Sequence, residues 1–459
     1  MPALSLDDLR SSFRGQLIQP ADPDYDAGRK VYNAMIDKRP RLIARCLDVA
    51  DVMAAVRYGA SNAMLTAIRG GGHNGGGLGT CDDGLVIDLS RMRGVRVNPA
   101  DKSVRAEGGC VWGDVDHATH PFGMATPCGF ISTTGVAGLT LGGGIGYLTR
   151  RYGLTIDNLL SVDVVLADGS FVTASPRENA DLFWAVRGGG GNFGVVTSFE
   201  FRTHPVSTVH FGPTFWSPED AETVLSAYVG FIKHAPEYVG GFFAFLVIPP
   251  VPMFPEHLHW KTVCGIVWCS TGSPEETETA LKPMRSLGKP VFDHVGPAPF
   301  PVVQSLFDPL FRPGLQWYWR ADYFTDLNAE AIARHAQQGP RLPSMLSTMH
   351  IYPVNGAAQR VGKNDTAYSF REALFAQVIV GVDPEPANAA KLSQWCRDYW
   401  DALHPFSAGG AYVNFMMEEG QDRVQATYRD NYRRLAEIKA KYDPNNFFRV
   451  NQNIHPAKS

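Results

Sequence analysis

The chain has little cysteine and no pattern in what it has. Seven residues (Cys46, Cys81, Cys110, Cys128, Cys264, Cys269 and Cys396) occur in 459, an odd number with no C-x-x-C pair. That argues against a disulfide framework, so a reducing, cytoplasmic setting is expected, with no metal site. A basic excess is also missing. Lys plus Arg is 42 against 46 Asp plus Glu, a formal net charge of -4. The cationic footprint of a nucleic-acid binder is therefore absent. No apolar run reaches the roughly 18 residues that suggest a membrane span. The first residues, MPALSLDDLRSSFRG, lack the charged-then-apolar order of a secretory signal. These absences leave a small molecule as the expected partner, with neither nucleic acid nor membrane. The chain is expected to be a monomer or homodimer, a choice the sequence does not decide.

Glycine is what the chain has in quantity, and it is unevenly spread. It crowds residues 69–79, 129–153 and 188–194. The middle, about 206–405, is richer in proline and aromatics, with composition changes near Pro205 and Ser407. No internal repeat is visible. Val49, Val52, Met53 and Val56 recur at helical spacing behind Asp48, a candidate N-cap. MLTAI then reads as a short strand running into glycine. Hairpins are expected around Pro99-Ala100-Asp101 and Asp168-Gly169, and VVTSFEFRTHP reads as a half-buried strand. Near the end, Val424, Tyr428, Leu435, Ile438 and Tyr442 share one helical face, and Pro444 stops that helix. The fold class expected is α+β, not a doubly wound parallel sheet.

The stretch IRGGGHNGGGLGT holds seven glycines and His73. Glycine lets a backbone approach a ligand closely, and successive free N–H groups attract phosphate. RGGGHNGGG after a strand is therefore a candidate diphosphate cradle. No Gly-Lys-Ser/Thr follows it, which excludes a P-loop. In LGGGIGYLTRRYG, Thr149 stands at the third position of a dinucleotide fingerprint, so a nicotinamide-dependent reductase is disfavoured. Tight turns alone would explain one such loop but not three, because glycine in quantity costs stability. A diphosphate-bearing cofactor is expected.

RGGGHN, TTGVAGLTLGGGIGYLTRRYGLTIDN, WAVRGGGGNFGVVT and YDPNNFFRVNQNIHP together resemble the berberine-bridge-enzyme-like group of the vanillyl-alcohol-oxidase superfamily. The resemblance covers about 38–205 and 407–456, and loosely the middle around YWRADYF. It implies a PCMH-type FAD-binding domain of two α/β subdomains over 1–205, with its core at about 38–205. A substrate-binding domain over 206–405, an antiparallel sheet covered by helices, and a returning segment over 406–459 follow. It implies FAD held covalently at His73, through the flavin 8α-methyl. Arg69, Gly70, Gly71, Gly72 and Asn74 fall at the diphosphate. Thr133, Thr134, Gly135, Gly138, Leu139, Thr140, Gly142 and Gly143 fall where the family wraps the flavin ring and ribityl chain. Asn192, Gly194 and Val196 fall near adenine and the ribityl region, and Tyr412 and Asn414 in a Y-x-N-Y motif.

Two departures matter. Ile131 occupies the position of a second flavin-bonding cysteine in many relatives, and Cys128 lies three residues early. One covalent link is expected, with Cys128 as the alternative second one. Phe415 replaces the last tyrosine of the motif and cannot take a proton. The proton acceptor must lie elsewhere, or the substrate is an amine that needs no strong base. Candidates are Tyr318, His350 and Tyr352, with Arg320 and Arg371 beside them. His350 and Tyr352 share one side of a strand if STMHIYPV is extended. The function expected is an FAD-dependent oxidase of a small aromatic or heterocyclic alcohol or amine, or a sugar, using O2 and releasing H2O2. Thr134 falls where a bulky residue would bar oxygen. A dehydrogenase with another acceptor and a non-catalytic flavin protein are the alternatives.

Overall fold

The computed structural model describes residues 3–458. Its first sheet has the strand order Gln16–Ile18, Leu42–Arg45, Leu85–Asp88, Thr66–Arg69. The last three strands run parallel. Parallel neighbours need a crossover, and the helix Val49–Ser61 supplies one. Its start follows the sequence expectation. The Asp48 carboxylate accepts the Asp51 N–H at 3.1 Å, and Val52 and Val56 are buried. The strand Thr66–Arg69 delivers the chain directly into the glycine-rich run.

The second sheet is antiparallel and holds both expected hairpins. Val95–Asn98 pairs with Ser103–Glu107, and Leu159–Val165 with Phe171–Ala174. Val195–Arg202 lies between the two hairpins. Gly169 has φ +77°, the left-handed value the Asp168-Gly169 turn needs.

The third sheet has eight strands, drawn from between Thr208 and Asp383, and its pairings are antiparallel. Side chains alternate across it. Phe243, Phe245, Ile266, Trp268, Met349, Ile351 and Ile379 point to one face, under the helices Ala221–His234, Pro274–Arg285, Ala329–Gln338 and Ala389–Leu403. Phe242, Trp317, Trp319, Tyr352, Val378 and Val380 point to the other, in a core shared with the glycine-rich half. Each such buried side chain contributes about 1.5–3 kcal/mol. The sheet is thus sealed on its helical side and presents its second face to the loops.

The single helix read near the C-terminus is two. Gln421–Tyr428 ends at Arg429, whose φ is +47°, and Asn431–Tyr442 begins after Asp430. Tertiary contacts hold the break: the Arg429 guanidinium lies 3.7 Å over the Phe370 ring and pairs with Glu372. Helical spacing survives across it by accident of register. The buried Lys439 ammonium then gathers the chain end, donating to Asp443 at 2.6 Å, to the Asn192 carbonyl at 2.6 Å and to the Phe448 carbonyl at 2.9 Å. No helix among the described residues is long and apolar enough to cross a membrane.

Candidate active site

A cavity of about 320 Å³ lies between the glycine loops and the inner face of the third sheet. The loop wall is made chiefly of backbone. A Cβ on Gly71 would sit 2.6 Å from Gly135 Cα, so the two loops touch main chain to main chain. Gly72 turns at φ +65°. Gly70, Gly71, Gly72, His73, Asn74, Thr134, Gly135, Gly138 and Leu139 line this wall, with Gly194 and Val196. Arg69 lines it too, but its guanidinium is bonded to Asp88 at 2.7 Å beneath the loop. Burial alone would raise the Asp88 carboxyl; the Arg69 charge and hydrogen bond hold it below the usual range. Asn74 closes the loop on itself, its side-chain oxygen accepting the Leu78 N–H at 3.2 Å.

His73 stacks on Tyr32 with ring centroids 3.7 Å apart, and the Tyr32 hydroxyl donates to the Phe311 carbonyl at 2.6 Å. Burial lowers the His73 pKa to about 4, so the imidazole is neutral at ordinary pH. Its Nε2 is buried without a partner among the described residues, as are the indole N–H groups of Trp317 and Trp319. Tyr32 carries no motif, and nothing in the sequence connects it with His73.

The sheet wall is made of side chains. Trp317, Trp319, Thr348, His350, Tyr352, Val378 and Val380 come from three neighbouring strands, and Phe130 and Ile131 face the same cavity. His350 and Tyr352 share a strand face, as alternation requires. His350 Nδ1 lies 2.5 Å from the Tyr352 hydroxyl, and Nε2 lies 2.8 Å from Thr348 Oγ1. Burial pushes His350 down to about 3 and Tyr352 above the usual phenol range. Phe130 stacks on Tyr352 at 4.1 Å. The returning segment closes the third side. The Tyr412 hydroxyl accepts the Gly144 N–H at 2.9 Å and the Asn414 amide at 2.7 Å, and Asn414 also donates to the Leu139 carbonyl. Burial raises Tyr412 to about 12 against those donors.

Several residues expected at the site lie elsewhere. Tyr318 alternates with Trp317 and Trp319 and so points to the helical face, where its hydroxyl accepts from Arg397 at 3.2 Å. Arg320 pairs with Glu419 at 2.6 Å and Arg371 with Asp157 at 2.7 Å, both away from the cavity. Cys128 is buried behind the wall, and its sulfur accepts from the Gln304 amide at 2.8 Å; burial raises its thiol well above the usual value. Thr133 and Thr140 are not in the lining. Thr140 shares the rear face of the helix Val136–Leu141 with Val136, four residues earlier. Gly142 backs onto the Asn414 amide, and Gly143 onto the Tyr368 and Tyr412 rings. Asn192 is occupied by the chain end: it donates to the Gln452 carbonyl and accepts the Ile454 N–H at 2.9 Å.

The residues present fit a flavin dinucleotide. A backbone cradle, a neutral buried imidazole with a partnerless nitrogen and two partnerless indole N–H groups adjoin one cavity. Comparison with known proteins agrees. Residues 40–175 match the FAD binding domain model, and 411–455 match the berberine and berberine-like model. An FAD-linked oxidoreductase of Dictyostelium discoideum is 30% identical over 98% of this chain and 96% of its own. The crystal structure of 6-hydroxy-D-nicotine oxidase from Arthrobacter nicotinovorans superposes with a TM-score of 0.87 at 27% identity, covering 99% of this chain and 100% of that one. Glucooligosaccharide oxidase from Acremonium strictum, described with a 6-S-cysteinyl, 8α-N1-histidyl FAD, shares the fold at a TM-score of 0.84 and 24% identity, covering 98% and 99%. With full-length identity, matching models at both ends and a cavity fitted to the cofactor, the chain belongs to the berberine-bridge-enzyme-like FAD-linked oxidoreductases.

Proposed function

We propose that the protein is an oxidase that removes hydride from a C–H next to OH or NH of a small substrate. When bound, FAD supplies the hydride acceptor and passes the electrons to O2, giving H2O2. The observation that carries this reading is the His350–Tyr352 pair, facing the same cavity as His73 and the glycine cradle. The chain's own residues divide the remaining work. His73 is the site of a single covalent link through its ring, and its low pKa keeps it neutral for that bond. Gly70, Gly71 and Gly72 bring main-chain N–H groups to the diphosphate. Tyr352 accepts the substrate's O–H or N–H hydrogen bond while its own proton is held by His350 Nδ1. The pair thus orients the substrate and shares its proton only as hydride leaves, standing in for the base that Phe415 cannot be. Thr134 lines the cavity and is no bulkier than valine, which favours oxygen access. Cys128, held by Gln304, adds no second link.

Two measurements on the purified yellow protein test this reading. Acid precipitation should leave the flavin on the polypeptide, and on the peptide holding His73. A panel of aromatic, heterocyclic and sugar alcohols and amines should yield peroxide with at least one member. Complete release of flavin by acid sinks the covalent assignment; reduction without peroxide, answered by an artificial electron acceptor, makes the protein a dehydrogenase instead.

A further inference from the structure

We infer that the sheet wall selects an uncharged aromatic ligand that presents an O–H or N–H donor, because one main-chain carbonyl fixes the direction of the hydrogen-bond chain ending at Tyr352. This deepens the oxidase reading and rests on it for which cavity holds the substrate. The chain begins at the Phe245 carbonyl, an oxygen that can only accept. Thr348 Oγ1 lies 2.7 Å from it and commits its single proton there. Thr348 Oγ1 must then accept from His350 Nε2, 2.8 Å away. A neutral histidine carries one ring proton, so Nδ1 is left with its lone pair. At 2.5 Å that lone pair takes the Tyr352 O–H. Every proton in the chain points away from the ligand, and Tyr352 offers it only oxygen lone pairs. Burial of His350, which disfavours a second ring proton, supports the same direction.

The ligand must therefore bring the proton. An alcohol, phenol or N–H compound satisfies Tyr352; a ketone or ether sets oxygen against oxygen. An unpaired buried polar group costs about 1–3 kcal/mol, enough to discriminate. The rest of the wall excludes charge. Among the residues lining the cavity, Arg69 is the one Lys, Arg, Asp or Glu, and it is already paired with Asp88. No carboxylate is there to meet a cation. Phe130, Phe415, Trp319, Val378 and Val380 instead give flat and branched apolar surface. A sugar needs many polar partners, and besides the two indole N–H groups counted with the flavin site this sheet face supplies a single chain of them.

Binding of ligands that cannot be oxidised tests the inference without turnover. Phenol, anisole, acetophenone and benzoate would be titrated into the yellow holoenzyme, following the flavin absorbance and, in parallel, heat by calorimetry. Phenol should bind about tenfold or more tightly than anisole or acetophenone, and the benzoate anion, which finds no free cation and meets only oxygen lone pairs at Tyr352, should not bind. Tyr352→Phe should erase the preference for phenol. Thr348→Val keeps the shape and β-branching but frees His350 to carry its proton on Nδ1. Tyr352 can then donate, and acetophenone should gain on phenol by several-fold. A residue that merely packs would weaken all ligands alike. Equal affinity of phenol and acetophenone for the parent protein, a Thr348→Val variant with unaltered preference, tight binding of benzoate, or no saturable binding overturns the inference. An oxidase failure would show separately, as no peroxide from any substrate despite the expected binding order.

Discussion

The loops carrying Gly71 and Gly135 and the strands carrying Trp319, His350 and Tyr352 face one cavity and are built on opposite terms. The loop wall works with main chain, and its side chains are mostly hydrogen atoms. The sheet wall works with side chains on a regular backbone. A backbone cradle can meet only what every FAD shares, so it leaves a strong sequence signature and says little about substrate. Alternate residues on a sheet can be exchanged without disturbing the fold, so that wall is free to be shaped to a substrate. The two walls should answer mutation differently.

Gly71→Val strikes the loop wall where a Cβ already meets the Gly135 backbone at 2.6 Å. The ratio of visible to ultraviolet absorbance after gel filtration should fall more than tenfold, whatever the substrate. A fully yellow variant would break the contrast at its root. Lys439→Met leaves Asp443 buried without its cation. Removing one partner of such a pair costs about 3–5 kcal/mol, so the thermal midpoint should fall by roughly 3–5 °C; an unchanged midpoint would show that the chain end does not brace the loops. On the sheet wall, His350→Ala should keep its flavin and slow flavin reduction by about a hundredfold, close to 3 kcal/mol of barrier. Because burial holds His350 near 3, its own titration should be missing from the parent rate between pH 5 and 9. Stopped-flow reduction at near the parent rate in the alanine variant would make the pair structural and favour an amine substrate. The smallest effect is expected at Tyr318→Phe, which removes one half-exposed contact with Arg397 on the helical face. Rate and stability should both stay within about 0.5 kcal/mol of the parent; a large rate loss would place that face of the sheet in the chemistry.

The sequence was informative where local chemistry decides structure. The Asp48 cap, the Asp168-Gly169 turn and the run of glycine around His73 each declare themselves within a few residues. The pairing of His350 with Tyr352 was legible because strand periodicity leaves no other choice. The same rule was available in QWYWR, but it does not say which face looks inward; the tryptophans took that face and Tyr318 the other. What stayed hidden depends on contacts distant in the chain. Tyr32 stacks on His73 across forty-one positions, and Thr348 matters only because a carbonyl from another strand, Phe245, stands beside it. The break at Arg429 hides for the same reason, being held by Phe370 and Glu372.

The knot around Asn192 also sets an order of events in the making of the protein. Its side chain bonds main-chain groups of Gln452 and Ile454, and its carbonyl takes the Lys439 ammonium. A nascent chain that has already released its first two sheets from the ribosome still lacks these partners, and the loop at 188–194 has the Gly188 and Gly190 N–H bonds to the Leu141 carbonyl but not the brace of the chain end. The cofactor pocket is completed by residues synthesised some 250 positions after the loop they secure. Capture of FAD is therefore expected to wait for the chain end, and messages cut short before codon 452 should yield colourless protein however well their glycine loops are spelled.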